Sequence, residues 1–189
     1  MVMISFFGVH GSGKTLTAKF LLSQLENSKY VPLEAIGEVK GLDPIQRQTL
    51  YFTTYVRQYL KNSHTEHPVI FDSHPALTIP YTDYWIKDSY RKRRIIDAFQ
   101  IVVENLPKTD YLVYLRTFDV ELVRERIFSR TDTFRDKSEE ANSEYIKAIM
   151  EKVEEYLKLH GSKIAHNIIV IPAEIEVDER AKKILEIIK

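Results

Sequence analysis

A glycine-rich segment near the N-terminus carries the clearest chemical signal in the sequence. Residues 8–15 read G-V-H-G-S-G-K-T and match the pattern G-x-x-x-x-G-K-[ST] at every fixed position. Glycines let backbone N–H groups approach a phosphate closely, while the lysine and threonine can reach the terminal phosphates and a Mg²⁺ ion. The pattern therefore predicts a loop that binds ATP with Mg²⁺, called here the phosphate loop. Its predicted ligand-binding residues are Gly8, Val9, His10, Gly11, Ser12, Gly13, Lys14 and Thr15.

A second group of chemically suitable residues lies in the arginine-rich run R-E-R-I-F-S-R-T-D-T-F-R at residues 124–135. Transfer of a phosphoryl group spreads negative charge over its oxygens, and positioned cations stabilise that charge. Arg126 and Arg130 are four residues apart and are expected to share one face of a helix. Arg135 follows in a polar stretch. The same arginines could instead be solvated charges paired with neighbouring acidic residues.

The elements that must position these residues are short apolar runs alternating with longer amphipathic ones. Strands are predicted over residues 2–7, 30–33, 69–72, 111–116 and 167–171. Helices are predicted over residues 14–26, 45–61, 81–105, 118–130, 138–160 and 177–188, with Ser138 as the cap of the fifth. This alternation indicates one α/β domain over residues 1–189, with a doubly wound parallel sheet.

Composition excludes several classes of protein. Lys and Arg total 27 and Asp and Glu total 27, a balance that argues against a dedicated binder of nucleic acid or membrane surfaces. The sequence has no cysteine, which excludes disulfides, thiolate metal sites and cysteine nucleophiles. No run approaches the roughly 18 apolar residues of a membrane span. The apolar start at residues 1–7 is short for an export signal, so a cytoplasmic location is expected.

The phosphate loop predicts the nucleotide but leaves the reaction open. A GTP switch would carry Asn-Lys-x-Asp, which is absent, and Asp-x-x-Gly where this chain has D-S-H-P at residues 72–75. An ATP-driven motor would normally be a longer chain. A kinase of a small metabolite fits 189 residues best.

These motifs resemble those of the thymidylate kinase family, and more loosely those of the deoxynucleoside kinases. The phosphate loop has glycine at its fourth position, as in thymidylate kinases whose catalytic arginines lie in a lid. Residues 124–138 stand where that lid stands, and the strand Y-L-V-Y-L-R-T at residues 111–117 is similar in both families. The resemblance implies a P-loop fold with a five-stranded sheet in the order 2-3-1-4-5, and a possible homodimer.

The resemblance also implies roles for single residues. Asp72 matches the aspartate at the end of the third strand, a Mg²⁺ ligand or a base, and Lys14, Arg126, Arg130 and Arg135 would be catalytic. The residues implied to bind the acceptor are Glu34, Phe52, Arg57 and Tyr81.

The sequence departs from the family pattern at the acceptor side. Ser73 replaces the arginine that follows the strand aspartate, His10 replaces an acidic residue in the phosphate loop, and Arg57 lies one residue late. We expect phosphorylation of a nucleoside monophosphate, with dTMP converted to dTDP. Two alternatives remain open: a deoxynucleoside kinase acting on a 5′-hydroxyl, and a non-catalytic ATP-binding protein with a degenerate acceptor site.

Overall fold

A five-stranded parallel sheet organises the chain. The structure is a computed structural model that describes residues 2–34, 36, 39, 41–130 and 137–188. The strands are β1 (Met3–Phe7), β2 (Lys29–Val31), β3 (Val69–Phe71), β4 (Thr109–Arg116) and β5 (Ala165–Pro172). Their order across the sheet is β2-β3-β1-β4-β5, and all four neighbouring pairs are parallel. The predicted fold class and strand order are confirmed.

Helices cover both faces of this sheet. They are α1 (Lys14–Gln24), α2 (Pro44–Asn62), α3 (Thr78–Trp85), α4 (Ser89–Glu104), α5 (Val120–Phe128), α6 (Lys137–Glu140), α7 (Ser143–Ile164) and α8 (Val177–Ile188), with a short 3-10 turn at Pro75–Leu77. Among the described residues, no helix is both long and apolar enough to cross a membrane.

Alternation along the strands divides the apolar side chains between two main cores. In β1, Phe6 points to a core shared with α1 and α8, while Phe7 points to the opposite core beneath α2, α3, α5 and α7. In β4, Val113 joins the first core and Leu112 the second. Both faces of the central strands are therefore buried, which is why they read as continuous apolar runs.

Two helix predictions differ from the structure. The region at residues 81–105 is two helices, α3 and α4, and the second begins at a new cap where Asp88 accepts from Arg91 N. The helix predicted over residues 138–160 is also divided. Asn142, not Ser138, caps α7 by accepting from Tyr145 N, and α7 continues through Gly161 before β5 begins at residue 165. A glycine inside a helix is tolerated when tertiary packing surrounds it, as Ile168 does here.

The fold brings several loops to one edge of the sheet. The phosphate loop follows β1, the central strand, and Asp72 follows β3 next to it. The loop after β2 reaches the same edge, because Asp72 N donates to Val31 O. Open parallel sheets bind ligands at the carboxyl ends of their strands, and this edge is therefore the candidate site.

Candidate nucleotide-binding site

The backbone of the phosphate loop adopts conformations that favour glycine. Gly8, Gly11 and Gly13 have φ values of 139°, 78° and 91°. At Gly11 an added Cβ would also lie 2.9 Å from the carbonyl oxygen of Val123 in α5. Glycine at this position therefore lets the loop turn and lets α5 pack directly beneath it.

The Lys14 ammonium group is folded back onto its own loop. Its Nζ donates to Gly8 O at 2.8 Å and to Val9 O at 2.9 Å, and the side chain is buried. These bonds hold the ammonium within the concave side of the loop. Phosphate oxygens entering there would meet a cation that is already in place.

Thr15 and Asp72 form the next part of the site. Thr15 Oγ1 donates to Asp72 Oδ2 at 3.0 Å, and Asp72 is only 4% exposed. Burial raises the pKa of Asp72, although the Lys14 charge and the Thr15 hydrogen bond oppose that rise. The carboxylate is therefore held in the site at a cost in solvation, as expected for a group with a ligand to bind.

A hydroxyl and a carboxylate are the hard oxygen donors that Mg²⁺ prefers, so Thr15 and Asp72 fit this ion. No cluster of three or more His, Cys, Asp or Glu side chains that could hold a metal occurs among the described residues. Thr15 and Asp72 are therefore the residues that would hold a Mg²⁺ ion here. When bound, the ion would supply charge neutralisation for the phosphates.

Tyr81 of α3 contacts His10 of the phosphate loop. Their rings stack with centroids 4.7 Å apart, and His10 N donates to the Tyr81 hydroxyl at 3.1 Å. The structure therefore brings Tyr81 against the phosphate loop, and its role in binding an acceptor stays a prediction.

The lid arginines do not share a helix face as predicted. α5 ends at Phe128, so Arg130 lies beyond the helix. Arg126 Nη1 donates to Ala173 O at 2.8 Å, whereas Arg130 Nη1 lies 3.3 Å from Glu140 Oε2. The two cations are therefore directed to different parts of the molecule. Arg135 lies outside the described residues.

Glu140 connects Arg130 to the phosphate loop. Its other oxygen, Oε1, lies 3.3 Å from His10 Nδ1. Of the two described lid arginines proposed as catalytic, Arg130 is thus the one linked to the loop through a shared carboxylate. Nothing in the sequence signals this role for Glu140, because the contact joins residues that are distant along the chain.

Glu34 and Arg57 form an exposed ion pair at the sheet edge. Arg57 Nη2 donates to both Glu34 oxygens, at 3.0 and 2.9 Å. Gln58, the next residue of α2, donates to Pro32 O and accepts from Glu34 N. Both partners belong to the loop after β2. α2 therefore holds the loop after β2 and orients the Glu34 carboxylate.

Phe52 is placed differently from its expected role. It is 3% exposed and stacks on Phe99 of α4, with ring centroids 3.8 Å apart. In this structure it belongs to the core between α2 and α4. Its role in stacking a base stays a prediction.

Sequence reasoning missed a buried polar patch between α2 and α3. Gln48 is buried, and its side-chain oxygen lies 3.4 Å from Thr82 Oγ1, which donates to Thr78 O at 2.8 Å. Thr78, one turn before Thr82, has a buried hydroxyl with no hydrogen-bond partner among the described residues. The sequence signal that could have revealed this patch is Gln48, a polar residue on the same face of the helix as Phe52 and Tyr59.

Comparisons with known proteins bear on the fold. No protein-family model matches the chain, and no curated protein matches it. Among solved structures, deoxyadenosine kinase from M. mycoides with bound dATP has a TM-score of 0.77 at 20% identity, covering 99% of both chains. Thymidylate kinase from Candida albicans has a TM-score of 0.74 at 17% identity, covering 99% of this chain and 90% of that one. The chain therefore has the fold of the P-loop nucleoside and nucleotide kinases.

Proposed function

We propose that this protein is a kinase that transfers the γ-phosphoryl group of ATP, with Mg²⁺, to a deoxynucleoside. One observation carries the proposal: Lys14, Thr15 and Asp72 form a contiguous cluster at the carboxyl edge of β1 and β3. This set supplies a phosphate cation and two oxygen donors for a metal. The solved structures that share the fold and are named for a deoxynucleoside support the same reaction class.

The charges at the edge support a hydroxyl acceptor over a phosphate acceptor. A monophosphate acceptor needs cations to hold it, whereas a 5′-hydroxyl needs a carboxylate to take its proton. Arg57 is already paired with Glu34, and on exposed α4 Arg91 and Arg93 pair with their own helix neighbours. Two carboxylates, Glu34 and Asp72, stand at the edge instead. This balance favours a hydroxyl acceptor.

The two carboxylates can be given separate roles. Asp72 is buried and bonded to Thr15, which suits metal binding, so Glu34 is the proposed base. As the 5′-oxygen bonds to the γ-phosphorus, its proton passes to Glu34 and the bond from the γ-phosphorus to ADP breaks. Arg57 positions the carboxylate for this transfer.

The polar patch at Gln48, Thr78 and Thr82 supports a nucleobase in the acceptor. An amide offers both a donor and an acceptor, and buried polar groups discriminate strongly against a ligand that leaves them unpaired. Thr78 and Thr82 share α3 with Tyr81, so the patch and the phosphate loop are joined by one short helix.

A panel of acceptors tests the proposal. Purified protein with Mg²⁺ and ATP would be given deoxyadenosine, deoxycytidine and thymidine in one set, and their 5′-monophosphates in another. ADP release and mass spectrometry would report turnover and product. We expect the nucleosides to be converted to 5′-monophosphates.

Glu34→Gln should lower kcat by about 10²-fold or more with little change in ATP affinity. Glu26→Gln, at an exposed position on the turn between α1 and β2, is the matched control and should behave like the wild type.

Phosphorylation of dTMP to dTDP is the second candidate. It is supported by Tyr81 against the phosphate loop and by Arg57 at the same edge, which could exchange Glu34 for an acceptor phosphate. Turnover of dTMP without thymidine turnover would select it, and Arg57→Met should then raise the KM for dTMP. ATP binding with no turnover of any acceptor would instead indicate a non-catalytic protein.

A further inference from the structure

Arg180, in the last helix, is a buried cation beside the phosphate loop. It is 3% exposed and lies on the stripe of α8 that also buries Ala181 and Ile184. Among the described residues it has no carboxylate within ion-pair distance; its three hydrogen-bond partners are neutral oxygens. A buried guanidinium with only neutral partners costs free energy, so its position calls for a reason.

Arg180 contacts the end of the phosphate loop, the first turn of α1 and the loop before α8. Its Nε donates to Ile175 O at 2.8 Å, which fixes the side chain to the loop before α8. Its Nη1 donates to Thr17 Oγ1 at 2.9 Å and lies 3.5 Å from Ser12 O. The guanidinium therefore spans from α8 to the start of α1.

These contacts orient two consecutive peptide groups. In a trans peptide the C=O and the N–H point in opposite directions. Because Ser12 O faces Arg180, the N–H of Gly13 points the other way. Thr17 Oγ1 donates to Gly13 O at 3.0 Å, so the next N–H, that of Lys14, is set by the same arrangement. These N–H groups belong to the set expected to bind phosphate oxygens.

Gly13 shows how closely the two parts fit. A Cβ built on Gly13 would lie 2.4 Å from Arg180 Nη1, and its φ of 91° is itself unfavourable for other residues. Arg180 thus packs against the bare backbone at the second invariant glycine of the motif. The loop and the last helix are complementary at this point.

We infer that Arg180 is a positioning residue for the phosphate loop, holding its amides toward the nucleotide and adding positive charge behind them. Burial and the charge of Arg126 lower the pKa of Arg180, whereas the charges of Glu176 and Glu174 oppose that fall. A bound triphosphate would place further negative charge on the other side of the loop. The inference rests on the proposed ATP-binding function.

The test compares three variants of the full-length protein. Arg180→Met removes the charge and the hydrogen bonds at similar length, Arg180→Lys keeps the charge alone, and Lys183→Met removes an exposed cation three residues on. Calorimetric titration would give the Kd for ATP, ADP and AMP, and steady-state kinetics the KM of the acceptor at saturating ATP. Melting curves without nucleotide would report folding.

We expect Arg180→Met to raise the Kd for ATP by about tenfold, with a smaller effect for AMP and an acceptor KM within about twofold of the wild type. Arg180→Lys should lie between these values, and Lys183→Met should match the wild type. If Arg180→Met does not fold, the comparison of Arg180→Lys with Lys183→Met decides.

Two results would overturn the inference in distinguishable ways. Wild type that binds ATP, with folded Arg180 variants that bind it equally well, would leave Arg180 as a structural residue only. Equal losses for ATP, AMP and the acceptor would lead to the same conclusion. Wild type that fails to bind ATP would overturn the proposed function, and this inference with it.

Discussion

At the residue scale, the Lys14 ammonium group is the cation for which we predict the largest catalytic effect. Its hydrogen bonds to Gly8 O and Val9 O keep it inside the phosphate loop. If phosphates bind, Lys14 would interact with their full negative charges as well as with the two carbonyl dipoles. This attraction would strengthen as negative charge develops on the phosphoryl oxygens during transfer.

Lys14→Met is therefore expected to lower kcat by about 10²-fold or more. Lys19→Met, an exposed lysine on the same helix, serves as the matched control and should keep wild-type turnover. A coupled assay of ADP release gives the rates, and circular dichroism checks the fold. Retention of most of the activity by folded Lys14→Met would contradict the role of the phosphate loop in catalysis.

At the element scale, the break between α6 and α7 decides which side chain reaches the phosphate loop. α6 ends at Glu140, which lies against His10 and Arg130. The chain then turns, and Asn142 begins α7 by accepting from Tyr145 N at 3.0 Å. The break therefore separates Glu140, at the end of α6, from the start of α7.

We expect Asn142→Ala to lower the free energy of unfolding by about 1 kcal/mol, because the N-terminal amides of α7 would lose their side-chain acceptor. Urea denaturation would measure the change. Ser138→Ala, at the cap position that the sequence alone suggests, should cost less because Ser138 lies within α6. A larger loss at Ser138 than at Asn142 would mean that α7 begins earlier than in this structure.

At the scale of the whole molecule, stability depends on pH through groups buried beneath the site. Burial lowers the pKa of His74 to about 3. An unfolded chain would protonate this residue below about pH 6.5. Between these values the unfolded state binds more protons, so the free energy of unfolding falls as the pH falls, by up to about 1.4 kcal/mol per pH unit.

His74→Asn isolates this contribution. His74 Nδ1 accepts from Ala76 N at the start of the 3-10 turn, and an asparagine oxygen can do the same without titrating. Urea denaturation at pH 7, 6, 5 and 4 should show wild type losing its advantage over the variant on acidification. Asp72, whose pKa is raised, contributes with the opposite sign, since its stabilisation is lost as the pH rises. Parallel curves for the two proteins would rule out His74 as the titrating group.

The homodimer implied by the family resemblance stays a prediction at this scale. Light scattering of the purified protein would give its mass directly.

The sequence alone was enough to predict the class of fold and the local arrangement of the phosphate loop. Apolar runs buried on both faces, alternating with amphipathic helices, leave few arrangements other than a doubly wound parallel sheet, and the structure confirms the predicted strand order. The phosphate loop is local: its glycines, Lys14 and Thr15 are neighbours along the chain, so their spacing specifies their geometry. The position of Asp72 beside the phosphate loop was predictable because a parallel sheet brings the ends of β1 and β3 to one edge.

Tertiary structure alone decided the contacts between residues distant in the sequence. Arg180 lies more than 160 positions from the Ser12 oxygen that it contacts, and Glu140 lies far along the chain from His10. The i, i+4 spacing of Arg126 and Arg130 indicated a shared face, but their helix ends between them, and nearby carbonyl and carboxylate oxygens bind them separately. Helical periodicity predicts which residues share a face only within the length of the helix. Where the element ends, and which distant charge lies opposite, follow from packing, because hydrogen bonds and ion pairs form with whatever the completed fold brings within reach.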